Sequence, residues 1–470
     1  MKTLLKWATS TVALLVAMTC AADDFVISPA DRTQVGLTVY HDFGVVRDVR
    51  SVTLPTGIVS LDFQGIPGSI EPSSVRVTSI GKEDLFNVLR QTYRYDLLNK
   101  ESLLRLYIGK KLKYSRTIQE GKKYERVLRE GTLLALDPEI VKFGDEIEIS
   151  PHGTISLPYI PEGLKTSPTL IWQIDNRVQD PQSIETSYIT GGLTWNADYR
   201  LDLNDDETAG NLALWVSVKN TSGVDYPGAD VDLVAGDVKR TQARGAPTYP
   251  HPAEAALMRM QSDEITGKPF FEYYMYSLPG SADLKNNQTT QFHLFTVDNV
   301  PVTKSYVLET DLVNRQLQQP VEDRFDVRLA FNNTVAAGLN RPLPKGTFRV
   351  FKEGQDGASQ LLGEDELPHV SRGASAKVTV GKAFDLSATH TQTTFKRTGD
   401  RNLEMSYQVE LRNRKKEQVT VTLDEKLFGD WKVTSQSERG KRLDASTQEY
   451  VVMLEPNASK MLTYTVQVDY

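Results

Sequence analysis

Apolar residues recur at every second position through much of this chain. In "LEMSYQVELRN", Met405, Tyr407, Val409 and Leu411 share one face, while Ser406, Gln408, Glu410 and Arg412 share the other. "EQVTVTLDEKL" repeats the pattern with Val419, Val421 and Leu423, and "NLALWVSVKN" with Leu212, Leu214, Val216 and Val218. "MLTYTVQVDY" aligns Leu462, Tyr464, Val466, Val468 and Tyr470. Successive side chains of a strand point to opposite faces, so this alternation sets one face on a core and the other in water. Turn clusters such as "NTSGVDYPGAD", "KEGQDGASQ" and "EPNASK" separate the runs. The pattern predicts a mainly β chain of several antiparallel β-sandwiches, with a small β-barrel-like insertion and few short helices.

Helical periodicity is sparse. "NKESLLRLYIG" predicts one short helix, capped at Asn99 or Ser102 and stopped near Gly109. "HPAEAALMRMQSDE" has good helix formers through Met260, but it sits in a polar stretch containing Pro and Gly. We read residues 244–269 as a long exposed loop. The chain has 470 residues, room for about two to four domains. Strand runs and turns divide it into an N-terminal β domain over 23–80, the barrel-like segment over 81–160, a sandwich over 161–312 that contains the loop, and a final sandwich over 313–470.

The first 22 residues change the picture of where the chain works. Lys2 and Lys6 precede an apolar run over 12–18, and small residues end it at Ala22 before acidic Asp23. This is the pattern of a secretory signal peptide cut near Ala22, which predicts export to the periplasm or cell envelope. Cys20 is the single cysteine and falls inside that segment, so the mature chain is expected to carry no disulfide. A lipidated Cys20 is the alternative, and Thr19 before it fits that processing poorly. No later run is long enough to cross a bilayer as a helix. The net charge is -7 and the pI about 5.6, which argues against a nucleic-acid partner.

One stretch, "YITGGLTWNADYRLDL" from Tyr188 to Leu203, admits two readings. Gly191, Gly192, Trp195 and Asp198 are residue types found at ligand sites, and they are equally the residues of a sheet corner. The architectural reading prevails. Glu185, Ser187 and Ile189 continue an alternating strand into a glycine pair that lets the chain turn. Leu193, Trp195 and Ala197 then alternate against Thr194, Asn196 and Asp198, with Tyr199, Leu201 and Leu203 following after a one-residue offset that predicts a bulge near Asp198. Trp195 is expected to plug the core.

Other candidate residues are weighed in the same way. Asp237 in "LVAGDV" lies at a strand end, where ligand-facing carboxylates sit, but local backbone bonding beside Gly236 explains it more simply. Tyr273, Tyr274 and Tyr276 in "FFEYYMYSLPG" offer faces that stack on sugar rings or anchor a partner. Their alternation with Leu278 fits a half-buried strand better. The six histidines are dispersed, and neither a metal-binding helix motif, a nucleophile elbow nor a phosphate loop occurs. "DLNDDETAG" is acidic but lacks the sixth-position glycine and twelfth-position glutamate of a calcium loop. No cofactor or metal is therefore expected. The terminal aromatic strand also has the form of an outer-membrane closing strand. Charged loops and a mean hydropathy of -0.37 favour a sandwich strand instead.

"YITGGLTWNADYRLDL", "VDLVAGDVKR", "FFEYYMYSLPGSADLKNNQTTQFHLF" and "RPLPKGTFRVFKEGQDGASQLLGE", read together, resemble the bacterial mucoidy inhibitor A-like proteins over roughly Tyr188 to Tyr470. "VYHDFGVVRDVRSVTLPTGIVSLDFQGIPGSIEPSSVRV" resembles the small N-terminal domain often paired with that region. The resemblance implies an exported bacterial β-protein with a C-terminal domain of unknown function and no established catalytic set. Longer members carry a coiled-coil-like helical arm, where residues 81–160 here show strand patterns. The expectation is a non-enzymatic binding or scaffolding protein of the envelope, with a protein or polysaccharide partner. The alternative is an envelope hydrolase acting on glycans, with Asp198, Asp202, Asp237 and Glu272 as candidate carboxylates.

Overall fold

In a computed structural model, residues 24–81, 85–94, 100–120, 123–159, 167–236, 238–240, 267–311 and 316–469 are described. The signal-like segment, Asp237 and most of the 244–269 stretch lie outside them. The described residues are overwhelmingly β, with one α-helix, Lys100–Leu106, inside the span read as helical from sequence. None of their helices is long and apolar enough to cross a membrane. The chain divides into two compact units. The first is 1–36, 45–190 and 222–226; the second is 37–44, 191–221 and 227–470.

In the first unit, a four-stranded sheet runs in the order Asp24–Ile27, Gly57–Gln64, Thr169–Asn176, Phe86–Arg94. Leu61, Phe63, Trp172 and Ile174 form part of its buried side. Strand Gln182–Thr190 pairs with Arg76–Ser79. It buries Gln182, Ile184, Thr186, Tyr188 and Thr190, so the core-facing set is the one opposite to Glu185, Ser187 and Ile189. The barrel-like segment is an open five-stranded antiparallel sheet, ordered Glu146–Ile149, Glu139–Phe143, Lys123–Leu136, Lys111–Glu120, Thr154–Ser156. One of its faces packs Leu112, Tyr114, Leu133, Val141 and Phe143 against Leu104 and Tyr107 at the helix.

The first unit also buries charge. Asp48 accepts from Arg50 at 2.7 Å and Arg32 at 2.8 Å, and the side chains of Asp48 and Arg50 are fully buried. The Arg50 guanidinium lies 3.7 Å from the Phe63 ring centre and donates to the carbonyls of Ile27 and Gln64. Each Arg50 guanidinium nitrogen thus has an acceptor, which is the condition for keeping charges out of water.

In the second unit, a five-stranded sheet runs Gln288–Pro301, Ala209–Asn220, Leu193–Leu203, Gly346–Glu353, Ser359–Leu367. The strand 193–203 buries every odd residue from Leu193 to Leu203 and shows no register shift against 209–220. The bulge expected near Asp198 is therefore absent. Leu193, Trp195, Ala197, Tyr199, Leu201 and Leu203 already keep one uninterrupted period of two, and a slip would turn half of them to solvent. The strand enters from Gly192, whose φ of 77° lies in the left-handed region and makes the turn the glycine pair predicted. Its pairing with 346–353 is parallel, so this sheet is mixed rather than purely antiparallel.

A nine-stranded sheet completes the unit. Its order is Asp430–Gln436, Ser459–Asp469, Asn402–Asn413, Ser375–Arg397, Val321–Asn332, Thr303–Thr310, Val419–Lys426, Thr447–Leu454, Lys441–Arg442. Met405, Tyr407, Val409, Leu411, Val419, Val421, Leu423, Leu462, Tyr464, Val466 and Val468 all face its core, as the alternation requires. Tyr450 and Tyr464 lie on strands with five others between them in the order, yet their ring centres are 5.5 Å apart. The sheet therefore curls over so that its inner face packs on itself. Among the described residues no closed barrel forms.

Candidate functional site

The strand 193–203 separates the candidate residues by parity. Trp195 and Tyr199 point inward. The Trp195 indole donates to the Val234 carbonyl at 3.2 Å, and the Tyr199 hydroxyl to the Pro344 carbonyl at 2.7 Å. Tyr276 is also buried and donates to the Pro342 carbonyl at 2.9 Å. Burial raises the Tyr199 and Tyr276 hydroxyls well above the ordinary tyrosine value. These three are core aromatics with satisfied polar tips. Tyr273 and Tyr274 are half-buried on Tyr273–Ser277, and Tyr274 pairs with Ala235. Gly236 has a φ of 141°, and a Cβ there would come within 2.4 Å of the Tyr273 ring, so only glycine fits beside it. Asp237 lies outside the described residues.

Asp198 points the other way, onto the outer face of the five-stranded sheet. Its neighbour on 209–220 is Trp215, and the neighbour of Trp215 on 288–301 is His293. Antiparallel neighbours share a face, so the three form one rung. Trp215 is 41% exposed, and its ring centre is 5.0 Å from that of His293 at an interplanar angle of 59°. The Ser217 hydroxyl donates to Asp198 at 2.7 Å, and the Gln291 amide donates to Ser217 at 3.1 Å. Arg349, from the parallel strand, contacts Asp198 at 3.3 Å and Glu364 at 3.0 Å. Arg200, on the next outward position, is held by Asp202 at 2.7 Å and lies 4.1 Å from the Phe351 ring centre. An indole face is thus flanked by carboxylate, hydroxyl, amide and guanidinium groups held in place by each other.

A cleft of about 430 Å³ adjoins this face. Asn196 and Thr347 of the outer face line it together with Trp195, Gly236, His41, His369, Lys345 and Glu366. Lys345 and Glu366 pair at 2.7 Å, and His369 Nδ1 accepts from the Lys345 amide at 3.1 Å. Asn196 stands two residues before Asp198 on the same side of the strand, so the cleft borders the strand that carries the aromatic rung.

The acidic turn after Asp202 holds ion pairs. Glu207 is bound by Lys304 and, at 2.8 Å, by Lys352. Burial pushes the Glu207 carboxyl up, but the two lysines outweigh it and bring it down to about 2. Among the described residues no group of three His, Cys, Asp or Glu side chains is placed to hold a metal ion.

Sequence reasoning missed Trp215, which alternation marks as an aromatic on the polar side of "NLALWVSVKN". It also missed His390 and Glu425 in the curled sheet. His390 Nε2 lies 2.9 Å from Glu425 Oε1, with both side chains fully buried, and Thr310 donates to the other carboxylate oxygen. Glu425 continues the inward series of Val419, Val421 and Leu423, and that parity was its signal.

Residues 184–470 match a protein family described as a domain of unknown function (DUF4139). No curated protein matches the chain. The match takes in the strand 193–203, the outer face with Trp215 and the curled sheet, and the chain belongs to the DUF4139 family.

Proposed function

We propose that the protein is an exported, non-enzymatic binding module of the cell envelope, and that its ligand is a polysaccharide held along the outer face of the five-stranded sheet. The carrying observation is the rung of His293, half-exposed Trp215 and Asp198. An indole face packs against the C–H face of a sugar ring. The groups of Asp198, Ser217, Gln291 and Arg349 supply acceptors and donors for its hydroxyls, and the adjoining cleft accommodates a branch or chain end. A protein partner would be better served by a wide apolar centre, whereas on this face Trp215 and Phe351 stand amid charged and polar groups. The signal-like N-terminus and the finer likeness to mucoidy inhibitor A-like proteins support the envelope as the place of action. In the hydrolase reading, Asp198 and Asp202 would act on the glycan. Each is engaged by an arginine, and no geometry on this face favours that reading.

Retention of the purified chain on columns bearing envelope polysaccharide fractions tests the proposal. The wild type should be retarded and Trp215→Ala should elute with the void while keeping its melting temperature. Absence of retardation on every fraction, or equal retardation of the variant, would overturn it.

A further inference from the structure

The described residues leave one face of the five-stranded sheet of the first unit largely bare. Its other face is covered by the helix Lys100–Leu106 and the residue that follows it. Pairing register assigns the bare face: Lys113 sits opposite Glu130, Ser115 opposite Leu128, Thr132 opposite Lys142, and Lys142 opposite Ile147. Leu128, Ile147 and Ile149 stand on it 62%, 60% and 68% exposed. Lys111, Lys113, Arg126 and Lys142 surround them, and Glu130 is the acid among them, 3.9 Å from Lys111. Those four cations against the single acid leave the face with an excess of +3, in a chain of net charge -7.

We propose that this face docks on an anionic lipid bilayer. Exposed aliphatics of this size gather on soluble surfaces where something covers them. The surrounding cations specify an anionic partner, and an anionic lipid surface rewards both features, taking aliphatic side chains below the headgroups and lysines at their level. A nucleic acid or an acidic polysaccharide would use the cations and leave the isoleucines in water. The site lies outside the family-matched region and is independent of the glycan reading.

Cosedimentation of the full chain with vesicles tests it, using phosphatidylcholine alone and phosphatidylcholine mixed with phosphatidylglycerol. The chain should pellet with the mixed vesicles and not the neutral ones, and added salt should release it. Lys111→Gln/Lys113→Gln should weaken binding by about fivefold per charge removed. Ile147→Ser/Ile149→Ser, on an exposed edge strand, should weaken it about tenfold or more with an unchanged melting temperature. Equal pelleting with both vesicle types, or mixed-vesicle binding that survives both double substitutions, overturns the proposal. So does tighter binding to DNA or dextran sulfate that the isoleucine variant retains in full. If one variant fails to fold, the other and the lipid preference of the wild type still decide.

Discussion

His390 and Glu425 face each other across 2.9 Å inside the C-terminal sheet, and neither side chain reaches solvent. They come from the strands 375–397 and 419–426, which are not neighbours in the sheet. Their meeting is a product of the sheet's curl. Removing one partner strands a buried group, so His390→Ala should destabilise the chain by about 3–5 kcal/mol. His390→Leu/Glu425→Met should cost less than that single change, because no charge is left behind. Urea denaturation of both variants checks this, and a double variant less stable than the single would contradict it.

The same carboxylate predicts acid sensitivity. Burial pushes Glu425 up, but His390 and its hydrogen-bond donors bring it below the ordinary glutamate value. A depressed carboxyl contributes stability that is fully present above its ordinary value, 4.5, and lost as pH falls through the folded value. Glu207 acts in the same direction over the window from its ordinary 4.5 down to about 2. It is partly exposed, so solvent screening limits its share to about 1 kcal/mol. The melting temperature should hold from neutrality to about pH 5 and fall below that. In Glu207→Gln the fall should be shallower.

In the first unit, Asp48 is the one carboxylate between the Arg32 and Arg50 guanidiniums. Burial raises its proton affinity, and the hydrogen bonds from Arg50 and then Arg32 more than reverse that. Asp48→Asn leaves two cations facing a neutral amide and should cost about 3–5 kcal/mol. Asp48→Glu keeps the charge and should recover part of it. Thermal unfolding of the two variants, with the larger loss in Asn, is the expected result.

The two tryptophans of the second unit should separate stability from binding. Trp195→Ala empties a buried site and leaves the Val234 carbonyl without its indole donor, for a loss of about 3–5 kcal/mol. Trp215→Ala removes a half-exposed ring and should stay within about 1 kcal/mol of wild type. Calorimetry of the pair checks this. A large loss in Trp215→Ala would make that residue structural and remove it from the binding face.

Much of the candidate site was within reach of the sequence. Alternation put Trp195 inside and Asp198 outside, and the structure agrees. It equally put Trp215 outside, an aromatic on a polar face, and Glu425 inside, an acid on an apolar face. Trp215 stands among polar groups on the outer face, and Glu425 meets His390 in the core. The bulge near Asp198 failed for a related reason: the odd-numbered series was already complete, and no interruption was needed to keep Tyr199 in the core.

What the sequence by itself determined is the identity of the strands, their inward and outward faces, and the turn at Gly192. These follow from the two-residue repeat of an extended backbone and from local φ preferences, which neighbouring residues dictate. Only the tertiary structure decided that Asp198 stands beside Trp215 and Arg349, that His390 reaches Glu425, and that Leu128 shares a bare face with Ile147 and Ile149. Those relations depend on strand order, register and sheet curl. The packing of the whole unit selects them, and no local stretch of the chain encodes them.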